Sequence, residues 1–320
     1  MNMFYFIIQH TMFFMIPLMI VALGGLFSEK SGIINIALEG KMILGAFAGT
    51  LTIATFQERS PAINPALLLT IALLVALATG VLVSLFHAYA SINLKANQVI
   101  SGIAINMFAP AFAIYNARLI TGTQNINFSN QFRIVSVPVL GNIPLIGPMF
   151  FQNTYATTYL GFLILIVASF VIYKTKFGLR LRACGEHPGA ADSVGISVTK
   201  IRYAGVILSG ALAGLGGVIY IIPISAVFSG TVSGYGFLAL AVLIFGGWNP
   251  IKIIFAAFFF GLMQAIAASY ATIDFLQALE IPAHFYRMFP YVATLILLAF
   301  TSKKTAAPKA LGIPYDKGVR

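Results

Sequence analysis

Solid apolar blocks of about 15–25 residues, broken by short polar interruptions, run along nearly the whole chain. Their length matches the ~20 residues that a helix needs to cross a bilayer core. A membrane barrel would instead show ~10-residue alternation of apolar and polar positions. Nine blocks predict crossings: 4–27, 42–56, 66–90, 97–117, 154–173, 203–222, 235–247, 251–269 and 285–300. The pattern predicts an all-α, polytopic transmembrane bundle of about 8–10 spans, with broken helices and two related halves. It occupies residues 1–302 and is followed by a basic cytoplasmic tail, 303–320. The first block is longer than a signal-peptide core and no Lys or Arg precedes Lys30, so it reads as a retained span.

Two of these blocks are short. Block 42–56 follows "SGIINIALEGK", in which Gly32, Asn35, Glu39, Gly40 and Lys41 interrupt an apolar stretch. Block 235–247 is flanked by Gly230, Gly234 and Gly236 before it and by Gly246, Gly247 and Pro250 after it. Glycine-interrupted short segments in both halves of a chain point to broken helices around a transport path. Non-helical backbone at membrane depth survives only when buried in protein or lining water. Close helix packing is the other reading of the glycines, and Gly45/Gly49 and Gly210/Gly214 have the spacing for it. Glu39 is costly within a bilayer and calls for a partner or a cavity. It either faces the pathway or pairs at the interface with Lys41 or Lys30.

A third polar cluster lies in "LKANQVISGIAINMFAP". Asn97 and Ser101 are four residues apart and share a helix face, as do Gln98 and Ser101 at three, with Asn106 beyond them. Such neutral amides and hydroxyls suit either an uncharged, hydrogen-bonding solute or interhelical bonding. Asn35, Glu39, Asn97, Gln98, Ser101 and Asn106 are therefore the candidate pathway residues.

Composition agrees with the pattern, since 59% of residues are apolar and only 8% charged, against roughly 25% charged in a soluble domain. The net charge of +11 resembles a nucleic-acid signal until it is mapped. Eleven of the 19 cations fall in the segment 174–202 or in the tail, which marks both as cytoplasmic and leaves no basis for a nucleic-acid partner. Cys184 is the only cysteine, so neither an intrachain disulfide nor a cysteine-built metal site is possible. No GxxxxGK[ST] occurs, and His10, His87, His187 and His284 are widely separated residues at span edges or in loops. No catalytic residue, bound metal or cofactor of its own is expected.

The stretch "FGLRLRACGEHPGAADSVGI" carries a local helix signal. Pro188 suits the first helical position after Glu186 or His187, and Gly195 suits a left-handed cap after it. A small helix on a cytoplasmic loop needs a surface to lean on, and Arg180, Arg182 and Asp192 offer polar anchors for a partner.

The segments "EKSGIINIALEG", "LKANQVISGIAINMFA", "FGLRLRACGEHPGAADSVGISVTKIRYAGVILSGALAGLGG" and "GYGFLALAVLIFGGWNPIK" resemble permease subunits of bacterial ABC importers of the ribose and branched-chain amino acid type. The likeness is closest to the nucleoside-importing branch, with simple sugars or branched-chain amino acids as alternative substrates. It runs from about Gly24 to the tail "APKALGIPYDKG". The resemblance implies a non-catalytic, multi-pass subunit in the bacterial cell membrane, in contact with membrane lipid. ATP would be bound by a separate ATPase with two nucleotide-binding cassettes. A second, different permease and an external lipoprotein or periplasmic binding protein would complete the importer. Arg182, Glu186, His187, Pro188, Asp192 and Gly195 then fall in the segment that couples to the ATPase. An ion-coupled secondary transporter, with Glu39 as its intramembrane carboxylate, is the alternative of another class.

Overall fold

A computed structural model describes residues 3–273, 282–301 and 307–317. Its helices are α1 (Met3–Lys30), α2 (Leu38–Arg59), α3 (Pro65–Ala88), α4 (Gln98–Thr121), α5 (Ala156–Lys174), α6 (Lys176–Glu186), α7 (Pro188–Ser193), α8 (Val198–Ile224), α9 (Tyr235–Phe245), α10 (Pro250–Ser269) and α11 (Ala283–Thr301). Local chemistry sets several of their ends. Asn64, Asn97 and Asn249 cap α3, α4 and α10 by accepting backbone N–H groups, and Pro follows two of these caps at the first helical position. A π-helical turn, Tyr89–Asn93, extends α3.

The six helices α1, α3, α4, α5, α8 and α10 are long and apolar enough to cross a membrane. The other three expected blocks fall on α2, α9 and α11. Helix α2 carries Glu39 and Lys41 in its first turn and Glu58 and Arg59 in its last. Helix α9 has only 11 residues, about 16 Å at 1.5 Å per residue, roughly half of a ~30 Å hydrocarbon core. The expected breaks are present before both: residues 31–37 separate α1 from α2, and residues 225–234 separate α8 from α9.

Helices α1 and α8 pack against each other and are the most enclosed. Helices α2 and α3 lie on α8, while α5, α9 and α10 lie on α1. Glycine lets the backbones meet. A Cβ at Gly45 would fall 2.3 Å from the Gly214 carbonyl oxygen, and one at Gly80 only 2.0 Å from that of Gly210. The GxxxG positions are thus spent on packing α2 and α3 against α8.

The long connection after α4 is not bare loop. Strand β1 (Ile126–Asn127) pairs antiparallel with β4 (Val227–Phe228), and β2 (Arg133–Ser136) with β3 (Gln152–Tyr155). The first pair ties the end of α4 to the end of α8. The segment expected to carry one small helix carries two, because Thr175 caps α6 through the Gly178 N–H at 3.1 Å before His187 ends it and opens α7.

Candidate functional site

Unwound backbone inside a bundle must find partners from elsewhere. The break between α1 and α2 finds them on α3, α4 and α8. Gln98 Oε1 accepts from the Ile34 N–H at 2.7 Å, and His87 Nε2 donates to the Ile34 carbonyl at 3.0 Å. Asn106 donates from Nδ2 to the Ile36 carbonyl at 2.9 Å while its Oδ1 accepts from the Gly40 N–H at 2.8 Å. Asn35 donates to Ser209 Oγ at 2.6 Å and accepts from Lys41 Nζ at 2.8 Å, with all three side chains buried.

The neutral stripe on α4 is therefore turned onto this backbone. Ser101 holds the other ring nitrogen of His87, Nδ1, at 3.0 Å. Since a carbonyl only accepts, Nε2 carries a proton, and in the neutral ring Nδ1 accepts from the serine hydroxyl. Asn97 stands apart as the α4 cap, accepting from the N–H groups of Val99 and Ile100 at 2.9 and 3.2 Å. His87 was expected to be a lone residue at a span edge. It is fully buried and bridges α3, α4 and the break.

Glu39 does not pair with Lys30 or Lys41 in a salt bridge, as the interfacial reading required. Its carboxylate accepts from the N–H groups of Gly234 and Gly236 at 2.9 and 2.6 Å. It sits in the first turn of α2 and caps the start of α9, so one carboxylate answers two helix N-termini, where partial positive charge gathers. The approach is tight: a Cβ on Gly236 would lie 2.3 Å from the Glu39 backbone nitrogen. Just beyond the other end of α9, Trp248 Nε1 donates to Glu29 Oε2 at 2.5 Å. Two buried acids of the first half thus hold both ends of the short helix of the second. Glu29, in the last turn of α1, was missed in the sequence. The signal available was an ionisable residue closing an apolar helix.

The segment 174–202 lies beside the same break. In α7, His187 Nδ1 accepts from the Ala190 N–H at 3.4 Å, Pro188 opens the helix, and Gly195 takes φ of +82° just after it. Arg182 lies over the Tyr173 ring at 5.5 Å and donates to the Gly178 carbonyl, so it is spent within the segment. Asp192 is not an open anchor, because Lys317 Nζ lies 3.1 Å from its carboxylate.

That ion pair belongs to a wider set of contacts made by the basic tail. Residues Lys303, Lys304 and Arg320 lie outside the described residues, but 307–317 form a strap across the helix ends. Along it, Ala310 N–H donates to the Gly185 carbonyl at 2.8 Å and Gly312 N–H to the Gly32 carbonyl at 3.0 Å. The N–H of Lys309 reaches Glu186 Oε2 at 3.5 Å, and Asp316 pairs with Lys95. Arg202 donates from Nη1 to the Ile313 carbonyl at 3.1 Å, buried beneath the strap. One short segment therefore touches the break, the α6–α7 segment and the approach to α4.

A polytopic helical bundle whose broken helices meet in its interior has the architecture of a membrane transport subunit. The chain belongs to the permease component family of branched-chain amino acid transport systems, whose model matches residues 7–299. It is 42% identical to the guanosine ABC transporter permease protein NupQ of Bacillus subtilis, over 98% of this chain and 97% of that protein. Identity to the nucleoside ABC transporter permease protein NupC of Lactococcus lactis is 41%, over 97% and 96% of the two chains. A second Lactococcus lactis protein, the nucleoside ABC transporter permease protein NupB, is 27% identical over 78% of this chain and 68% of its own length. No solved structure matches. The protein is a multi-pass permease subunit of the plasma membrane.

Proposed function

We propose that this subunit forms the membrane pathway for nucleosides in an ATP-driven importer. The substrate reading rests on the near full-length likeness to NupQ and NupC. The likeness to both NupC and NupB, two permeases from one organism, supports pairing with a second, different permease. An external binding protein delivers the substrate. ATP is bound and hydrolysed by a separate ATPase with two nucleotide-binding cassettes, and this chain needs no cofactor of its own.

The observation that carries the mechanism is the strap's bridge between α7 and the break. A push on α7 from the ATPase passes through the Asp192–Lys317 and Gly312–Gly32 contacts to the break, and from there through Glu39 to α9. Opening and closing of the pathway is a rearrangement of these two broken helices. Asn35, Gln98, Ser101 and Asn106 hold one of them in place, and Asn97 fixes the start of the helix that carries the last three. Glu186, His187, Pro188 and Gly195 shape the docking element, and Arg182 steadies it.

The test is Gly195→Val. Nothing lies within 4 Å of a Cβ built at Gly195, so the substitution costs only the left-handed backbone that a β-branched residue resists. The permease is expected to insert normally while nucleoside uptake and substrate-stimulated ATP hydrolysis fall together. Full stimulation and normal uptake by the reconstituted complex would remove α7 from the coupling path.

A further inference from the structure

At the end of the bundle opposite the strap, the last turns of α2 and α4 flank an open cavity of about 970 Å³ with β1 and Ala226 at its side. This is the size of a small-molecule site, typically ~300–1,000 Å³. Its chemistry is one-sided. The chain has 19 lysines and arginines, yet among the described residues that line this cavity there is no cation and a single carboxylate, Glu58.

Most of the neutral lining is already committed. Gln57 exchanges two 2.8 Å bonds with the backbone of Ser129. Asn130 donates to the Ile222 carbonyl at 2.7 Å and to the Tyr155 hydroxyl at 2.9 Å. The Thr121 and Thr123 hydroxyls are turned onto the Asn125 carbonyl at 3.3 and 2.9 Å. The Thr55 and Ser129 hydroxyls and the Asn127 amide also line it, and Glu58 is its one purely accepting side chain. Asn125 Oδ1 is a buried oxygen with no hydrogen-bond partner among the described residues. Glu58 is exposed at the cavity wall and takes part in neither of the chain's two ion pairs among the described residues.

Resting on the nucleoside reading above, we infer that this cavity is the entry site for the substrate and that Glu58 reads a purine edge carrying two adjacent N–H donors, as guanine does. A carboxylate only accepts, and it can take two parallel N–H bonds at once, which makes such an edge its natural complement. A phosphorylated nucleoside would bring negative charge against Glu58 with no cation to offset it, so the same lining rejects nucleotides.

The experiment is uptake of labelled guanosine and inosine, which lacks the exocyclic amine, by cells expressing the complete importer with wild-type chain or Glu58→Gln. Delivery by the binding protein sets KM, so passage through this chain reads out in the maximal rate. Glu58→Gln keeps the shape of an exposed side chain but turns one acceptor into a donor. The maximal rate for guanosine is expected to fall about tenfold and that for inosine by much less, at unchanged KM. A second arm uses Thr55→Cys on the cavity wall. The native Cys184 gives little background, since burial raises its thiol above the ordinary range against the pull of Arg202. Guanosine, but not its monophosphate, should slow alkylation of the introduced thiol by a membrane-impermeant maleimide severalfold. Equal losses for both nucleosides, or none, or a thiol that guanosine leaves unprotected, would overturn the inference. Failure of the wild-type importer to carry either nucleoside would instead sink the nucleoside reading itself.

Discussion

Glu39 shows how much one side chain can decide. Its carboxylate satisfies two N–H groups of a helix start 195 residues or more away in sequence. Bonds to a charged acceptor are worth about 1.5–3 kcal/mol each where the alternative is an unpaired buried group. Glu39→Gln leaves one oxygen and places an NH2 against a donor, so thermal stability of the purified subunit should drop and uptake with it. What uptake remains should be indifferent to a protonophore while ATP is held constant, because a group bound by two backbone N–H donors is a fixed joint and not a relay. Loss of uptake on collapsing the proton gradient at clamped ATP would favour ion coupling. Glu39 stood out in the sequence as a costly intramembrane acid. Its partners did not, because backbone N–H groups carry no residue signature.

At the scale of elements, the strap turns the α6–α7 segment from a free loop into one side of a three-way contact. An ion pair with Lys317 73% exposed is worth little for stability, about 0–1 kcal/mol, so its disruption should act on coupling and leave folding intact. Asp192→Lys is expected to lower uptake and stimulated ATP hydrolysis severalfold at normal subunit abundance. Adding Lys317→Glu restores the attraction with reversed sign, and should recover most of the loss if the strap transmits the motion. No recovery in the double variant would mean that Asp192 meets the ATPase directly. The small helix itself was legible, since Pro188, His187 and Gly195 act locally. The strap was not: its contacts run through backbone groups such as Gly32 and Gly185, which composition does not mark.

For the molecule as a whole, α8 is the helix of the second half embedded against α1, α2 and α3 of the first, and its glycines set the spacing. A Cβ at Gly214 would lie 2.3 Å from the Ala76 carbonyl oxygen. Gly214→Val should therefore push α3 from α8, at about 1–3 kcal/mol or more for overpacking. The expected result is a subunit that loses monodisperse elution in detergent and fails to assemble, in contrast to Gly195→Val, which assembles but does not couple. Normal elution and uptake of the Gly214 variant would mean that α8 can shift at no cost.

The sequence alone determined that the chain is a helical membrane bundle, because apolar block length answers directly to bilayer thickness. It also determined where the helices break, since glycine and buried acid at such depth are intelligible residue by residue. The tertiary structure decided what the polar residues do there. Gln98, Ser101 and Asn106 read equally well as pathway or as interhelical bonding, because periodicity gives a face and not the group opposite it. Only the fold brought residues 31–37 against that face, and unpaired backbone then claimed the amides. The same holds for the acids: their cost in lipid was evident from the residue type, but which helix end each would meet depended on how two distant halves pack.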